Sequence, residues 1–281
     1  MTPGFGARLQ SVLDARGPVC AGIDPHRSLL SDWGLPDTAA GVREFGLRVV
    51  EAATGRIGVV KPQVSFFERH GSRGFAALEE VLAAARSAGL LVVADCKRGD
   101  IGSTLDAYAE AWLTEGGPLE ADAMTAVAYQ GVGSLDPAIT RALTGGKGVF
   151  VLAATSNPEA RDVQTARTIE GPRAGRSVAA GIVGEVRSRN TGEGLGSIGV
   201  VVGATIRLVD YGLTQEELVG MPVLAPGFGH QGAKFADLPA RYGPAAASTL
   251  VNVSRSVLSA GPDGLAAALD ATRKEVAECL A

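Results

Sequence analysis

The first chemistry this chain suggests comes from three charged residues at the end of one apolar run. In Ala94-Asp95-Cys96-Lys97-Arg98-Gly99-Asp100-Ile101, the Asp95 carboxyl and the Lys97 amine stand two positions apart. If the run is a β-strand, alternate side chains share a face. Asp95 and Lys97 then point the same way, with Cα atoms about 6–7 Å apart, and Cys96 points the other way. Asp100 follows in the next loop. An acid–base–acid group in one restricted space keeps a lysine charged and oriented. Taken alone, an Asp-x-Lys is equally a structural ion pair.

Two more runs end in charge. Asp24 closes Ala21-Gly22-Ile23-Asp24-Pro25, and Lys61 closes Val59-Val60-Lys61-Pro62-Gln63. Each could be a surface charge, but three consecutive runs ending this way point to one shared rim. A different chemistry follows the later runs. Ala225-Pro226-Gly227-Phe228-Gly229-His230-Gln231-Gly232 is a glycine-rich turn whose backbone N–H groups could converge on an anion. Val253-Ser254-Arg255-Ser256 offers a guanidinium fork for phosphate oxygens.

These groups need a scaffold. Short runs rich in Val, Ile, Leu and Ala read as strands at 19–23, 57–60, 90–94, 123–126, 149–153, 198–202, 222–225 and 249–253. Continuous apolar runs of this kind suit strands buried on both faces of a parallel sheet. Helical patterns fall at 39–53, 74–87, 102–114, 137–143, 177–189, 214–219 and 263–280, with a short one at 236–242 and another at the amino terminus, 1–16. Ile101, Leu105, Tyr108 and Trp112 form one apolar stripe. Thr214 and Glu217 have capping-box spacing. Eight alternations predict a (β/α)8 TIM barrel, with a doubly wound open sheet as the alternative. The expected organisation is one domain, 1–281, in which the Gly- and Arg-rich segment 157–197 is a lid or a solvated insertion. Barrels of this class place their sites at the carboxyl ends of the strands, often with phosphate after strands seven and eight. The charged groups above occupy those positions.

Composition narrows the partners. The 281 residues are 46% hydrophobic and 20% charged, with a formal net charge of −4 and no long basic run. That disfavours nucleic acid, whose phosphates select a basic face. No run is long enough to cross a membrane. The three cysteines, Cys20, Cys96 and Cys279, lack metal-ligand spacing and fit a reducing cytoplasm better than a disulfide framework. His26, His70 and His230 lack mutual metal spacing, and His26 and His230 read more readily as solvated rim residues than as ligand contacts.

Together the pattern resembles the orotidine 5′-phosphate decarboxylase family, whose third strand carries Asp-x-Lys-x-x-Asp-Ile-x-x-Thr. Asp95, Lys97, Asp100, Ile101 and Thr104 match it. Asp24 and Lys61 match on the first two strands. Pro226, Gly227, Gly229, Gln231 and Gly232 match the phosphate loop, and Arg255 the final arginine. The matches run in order from Asp24 to Arg255. Lys61-Pro62-Gln63 with Phe66-Phe67-Glu68 resembles the longer-chain bacterial branch, while Ala233 stands where a glycine often follows.

The resemblance implies conversion of orotidine 5′-monophosphate to uridine 5′-monophosphate and CO2, with no cofactor and no metal. It implies that Asp24 and Lys61 bind the ribose, that Asp95 lies against the substrate carboxylate, and that Lys97 stabilises and protonates the C6 carbanion. Asp100 and Thr104 would reach the neighbouring subunit's site, making a homodimer. Ser156 would bond the pyrimidine amide (Thr155 is the alternative), Gln231 would bridge pyrimidine and phosphate, and Gly227 and Arg255 would hold the phosphate. Two other readings remain: a magnesium-dependent sugar-phosphate decarboxylase or aldolase on the same scaffold, and a non-catalytic nucleotide-binding protein.

Overall fold

The apolar runs are strands, and they close on one another. A computed structural model describes residues 3–281. It contains β1 Val19–Ile23, β2 Val59–Pro62, β3 Leu91–Arg98, β4 Ala123–Ala126, β5 Gly148–Ala154, β6 Ile198–Val202, β7 Val223–Pro226 and β8 Thr249–Val253. Each pairs in parallel with the next. β8 returns to β1 through Val19↔Val251 and Cys20↔Asn252, so the sheet is a closed barrel rather than an open one.

Alternation sorts the strand residues. Cys20, Val59, Leu91, Val93, Phe150, Val201, Leu224 and Leu250 fill the barrel. Their neighbours Val19, Ala21, Val60, Val92, Ala94, Val251 and Val253 join the layer packed under the helices. Both faces are buried, which is why the runs show no polar alternation. Cys96 belongs to the outer layer as expected, and burial pushes its thiol up to about 12.

One mouth of the barrel is plugged. The amino-terminal helix is Phe5–Arg16; residues 1 and 2 of the expected 1–16 helix lie outside the described residues. Phe5 meets Phe150 edge-on, with ring centroids 5.9 Å apart. Gly148 makes this possible, because a Cβ there would stand 2.4 Å from the Phe5 ring. Arg8 donates to Asp122 Oδ1 at 2.5 Å and to the Gly146 carbonyl at 2.9 Å, just before β4 and β5. The mouth at the strands' carboxyl ends is left for a site.

Most helices lie where the pattern puts them, including Ala39–Ala53, Gly71–Ser87, Val178–Ser188 and Gly261–Leu280. Three expectations need correction. The 214–219 helix is only a 3-10 turn, Glu216–Leu218. Its capping box forms, with Thr214 N–H donating to Glu217 Oε2 at 3.0 Å, but Val219 turns extended and Gly220 takes φ +83° to lead the chain into β7. β3 continues through the charged motif to Arg98, past the expected end at 94, and its register on β4 slips between Ala94 and Arg98. The stripe on helix Gly102–Leu113 is split. Leu105 and Trp112 are buried, whereas Ile101 is 60% and Tyr108 38% exposed.

Candidate active site

Above the apolar interior, the inward-facing side chains turn polar. The alternation that buries Cys20 brings Asp24 to the rim of β1. Val59 is followed by Lys61 and Gln63, Val93 by Asp95, Ala123 by Thr125, and Leu250 by Asn252 and Ser254. With Lys97, Arg255 and others, all of these polar side chains but the fully buried Thr125 line a cavity of about 370 Å³.

Asp95 is its hub. Its Oδ1 accepts from Lys97 Nζ at 2.6 Å and from Thr125 Oγ1 at 2.9 Å. Its Oδ2 accepts from Lys61 Nζ at 2.8 Å. With the Gln63 amide oriented so that each atom meets a complementary partner, Nε2 donates to Asp95 Oδ2 at 2.5 Å and Oε1 accepts from Lys97 Nζ at 3.3 Å. Four donors therefore fill the four acceptor sites of one carboxylate. Burial pushes the Asp95 carboxyl up, but the charges of Lys61 and Lys97 and their hydrogen bonds outweigh it and hold it well below the usual carboxylate range. For Lys61 burial acts downward, and the Asp95 and Asp24 carboxylates overcome it, so the ammonium persists above the usual lysine range.

Lys97 is reached through strain rather than simple pleating. Among the described non-glycine residues it alone has positive φ, at +48°. Its N–H donates to Thr125 Oγ1 at 2.9 Å, replacing a regular ladder bond where the register slips. Strain of this kind survives only where surrounding contacts fix it. Here Thr125 and Asp95 do so.

The opposite wall carries the anion chemistry. Pro226, Gln231 and Arg255 line the cavity, and among the described residues Arg255 makes no ion pair. The turn differs from the expected N–H cradle. Gly229 N–H donates to the Ala233 carbonyl at 2.9 Å, Gly232 N–H to Gly229 at 2.9 Å, and Ala233 N–H to Gly227 at 3.3 Å. Those groups fold the loop instead of facing an anion. Gly227 and Gly229 have φ of +116° and +71°, and a Cβ on Gly229 would press on Ser256 at 2.8 Å. Ala233 needs no such freedom, having no positive φ. His26 and His230 both line the cavity; His230 is exposed, as the solvated reading expects, while His26 is half-buried. His26 packs on Phe66, with centroids 4.3 Å apart.

Ser156 Oγ donates to Gln231 Oε1 at 3.4 Å across the mouth. Thr155 lines the cavity, but its hydroxyl donates to Asn157 and accepts from Gln164 at 2.8 and 2.9 Å. Ser156 is exposed and lies outside the cavity lining, so Thr155 borders the cavity while Ser156 has the freer hydroxyl.

Asp100, Ile101 and Thr104 do not join this cavity within one chain. The expected Asp95–Lys97–Asp100 group is corrected accordingly. Asp100 Oδ1 instead accepts from Ile101 N–H at 2.8 Å, just before the helix Gly102–Leu113. Gln63 as a site residue, Thr125, Asn252 and Ser254 escaped the sequence reading. The signal was present, since each sits two or four residues beyond an inward apolar residue of its strand.

Comparison with known proteins follows the same lines. Residues 17–271 match the family described as orotidine 5′-phosphate decarboxylase / HUMPS. An orotidine 5′-phosphate decarboxylase of Streptomyces coelicolor is 53% identical over 261 residues, covering 92% of this chain and 91% of that protein. One from Salinispora tropica is 50% identical over 280 residues, covering 99% and 97%. Among solved structures, a candidate orotidine 5′-phosphate decarboxylase from Streptomyces avermitilis superposes with a TM-score of 0.93 at 49% identity, covering 99% of this chain and 96% of that one. The Leishmania donovani OMP decarboxylase gives 0.79 at 31% identity, covering 98% of each chain.

Proposed function

The chain belongs to the orotidine 5′-phosphate decarboxylase / HUMPS family and is a carboxy-lyase converting orotidine 5′-monophosphate to uridine 5′-monophosphate and CO2, and we propose that Lys97 is its central catalytic residue. The observation that carries this role is the clamp on Asp95. One saturated carboxylate holds the Lys97 ammonium at the edge of a cavity whose far wall presents Arg255. The substrate phosphate pairs with Arg255 beside Pro226 and Gly227, Gln231 and Ser156 meet the pyrimidine, and C6 lies against Lys97.

The C6–carboxyl bond breaks, CO2 departs and the electron pair stays on C6. Lys97 Nζ then gives that carbon its proton, leaving a neutral amine, and solvent reprotonates it to the ammonium. An ammonium fixed beforehand stabilises the developing carbanion more than the ground state, which is what accelerates the step. Asp95, already ion-paired, orients that charge and stands against the departing carboxylate. Lys61 holds Asp95 from below and, with Asp24, faces the ribose. The magnesium-dependent reading fits less well, because donors fill every acceptor site of Asp95.

The chain works as a homodimer. Exposed Ile101, Tyr108 and Tyr129, the last 85% exposed, support an apolar contact beside Asp100 and Thr104, which complete the partner's site. It acts in the cytoplasm as one barrel domain; no helix among the described residues is long and apolar enough to cross a membrane. Residues 157–177 form the lid, while the rest of the 157–197 segment includes the barrel helix Val178–Ser188, packed by Ile182, Val183 and Val186. The test is CO2 release from orotidine 5′-monophosphate by purified protein with chelator present. Full turnover is expected. Binding without release supports a nucleotide-binding protein, and loss restored by magnesium supports the metal-dependent reading.

A further inference from the structure

Three buried oxygens on residues that line the cavity have no hydrogen-bond partner in the protein: Asp24 Oδ1, Asn252 Oδ1 and Ser254 Oγ. Asn252 is only 8% exposed. A buried acceptor left unpaired costs free energy, so a cluster of three marks where a ligand supplies donors.

Their place in the barrel narrows the donor. Asn252 pairs in register with Cys20 of β1 on one side and Pro226 of β7 on the other. It therefore stands between the Asp24–Lys61 wall and the start of the phosphate loop. Gly22 leaves a gap beside it that Asp24 and Ser254 close together. A Cβ there would lie 3.0 Å from Ser254 Cβ and 3.2 Å from Asp24 Oδ2. In a nucleotide whose base meets Lys97 and whose phosphate meets Arg255, the group bridging that distance is the sugar. Its hydroxyls are donors, and the three oxygens are acceptors.

We propose that Asn252 and Ser254 join Asp24 in accepting hydrogen bonds from the ribose hydroxyls, and that they make the site select ribonucleotides over deoxyribonucleotides. This rests on the reading of the cavity as a nucleotide site. A site built to bond a hydroxyl rejects an analogue lacking it, because its own polar groups are then left buried and unpaired.

Calorimetric titration of the full chain with UMP, 2′-deoxy-UMP and 3′-deoxy-UMP tests this. Wild type should prefer UMP. Asn252→Leu and Ser254→Ala should each weaken UMP roughly five- to tenfold, about one hydrogen bond's share, while leaving unchanged the deoxy analogue that lacks the matching hydroxyl. Ser254→Ala removes a single oxygen and carries the test if Asn252→Leu does not fold. Equal losses for UMP and both analogues would show a packing role and overturn the inference, as would no loss at all. Wild-type protein that binds none of the three ligands would overturn the nucleotide reading itself.

Discussion

Lys97 Nζ lies 2.6 Å from Asp95 Oδ1, and Lys97 itself makes the kink in β3 that brings them together. Regular pleating would aim the two side chains in parallel from the same face. The left-handed turn at Lys97 instead folds its amine back onto the carboxylate, and Thr125 bonds both the Lys97 N–H and Asp95 Oδ1 from β4. The amine is thus positioned before substrate arrives. Reorganising a charge during the reaction would add to the barrier, and preorganisation removes that cost.

Lys97→Ala should lower kcat by at least about a thousandfold, the upper range for removing one preorganised electrostatic group. UMP should still bind. Single-turnover CO2 release and product titration measure the two separately. Turnover close to wild type would remove Lys97 from its role.

Asp95→Asn should destabilise the fold by about 3–5 kcal/mol, because Lys61 remains buried with its main partner gone. The pH dependence has a definite sign. Asp95 has a depressed folded pKa, so its contribution is complete above the ordinary value of 3.8 and fades as pH falls below it. Lys61 has a raised one, so its contribution holds at and below 10.5 and is lost as pH climbs beyond. Urea unfolding across pH should show a steady gap between wild type and variant at neutrality that narrows in strong acid. A gap indifferent to acid would contradict the clamp.

Chains carrying Lys97→Ala and chains carrying Asp100→Ala should each be inactive alone and recover activity when mixed as dimers. Random pairing makes half the dimers mixed, each with one complete site, so about a quarter of the wild-type rate is expected. Confirmed mixed dimers without recovery would place Asp100 outside the partner's site.

Gly229→Ala should weaken UMP by about tenfold or more while sparing uridine. The new methyl group meets Ser256 in a backbone region that alanine resists. Equal losses for nucleotide and nucleoside would show that this loop does not serve the phosphate.

The barrel was legible because a closed parallel sheet buries both faces of every strand, and buried strands announce themselves as unbroken apolar runs. Asp24, Lys61, Asp95, Lys97 and Arg255 were legible too, since charge at the end of such a run has few other reasons to be there. Asn252, Ser254 and Thr125 looked ordinary in the chain. Their meaning comes from facing inward beside residues of neighbouring strands, which closure of β8 onto β1 and the slip between β3 and β4 decide. Nor could spacing tell that Asp100 stays out of the cavity that Lys97 lines while Asp95 is gripped by four donors. Local sequence sets which side chains a strand carries to the rim. Contacts between residues 30 or more positions apart, such as Lys61 with Asp95, exist only once the sheet has closed.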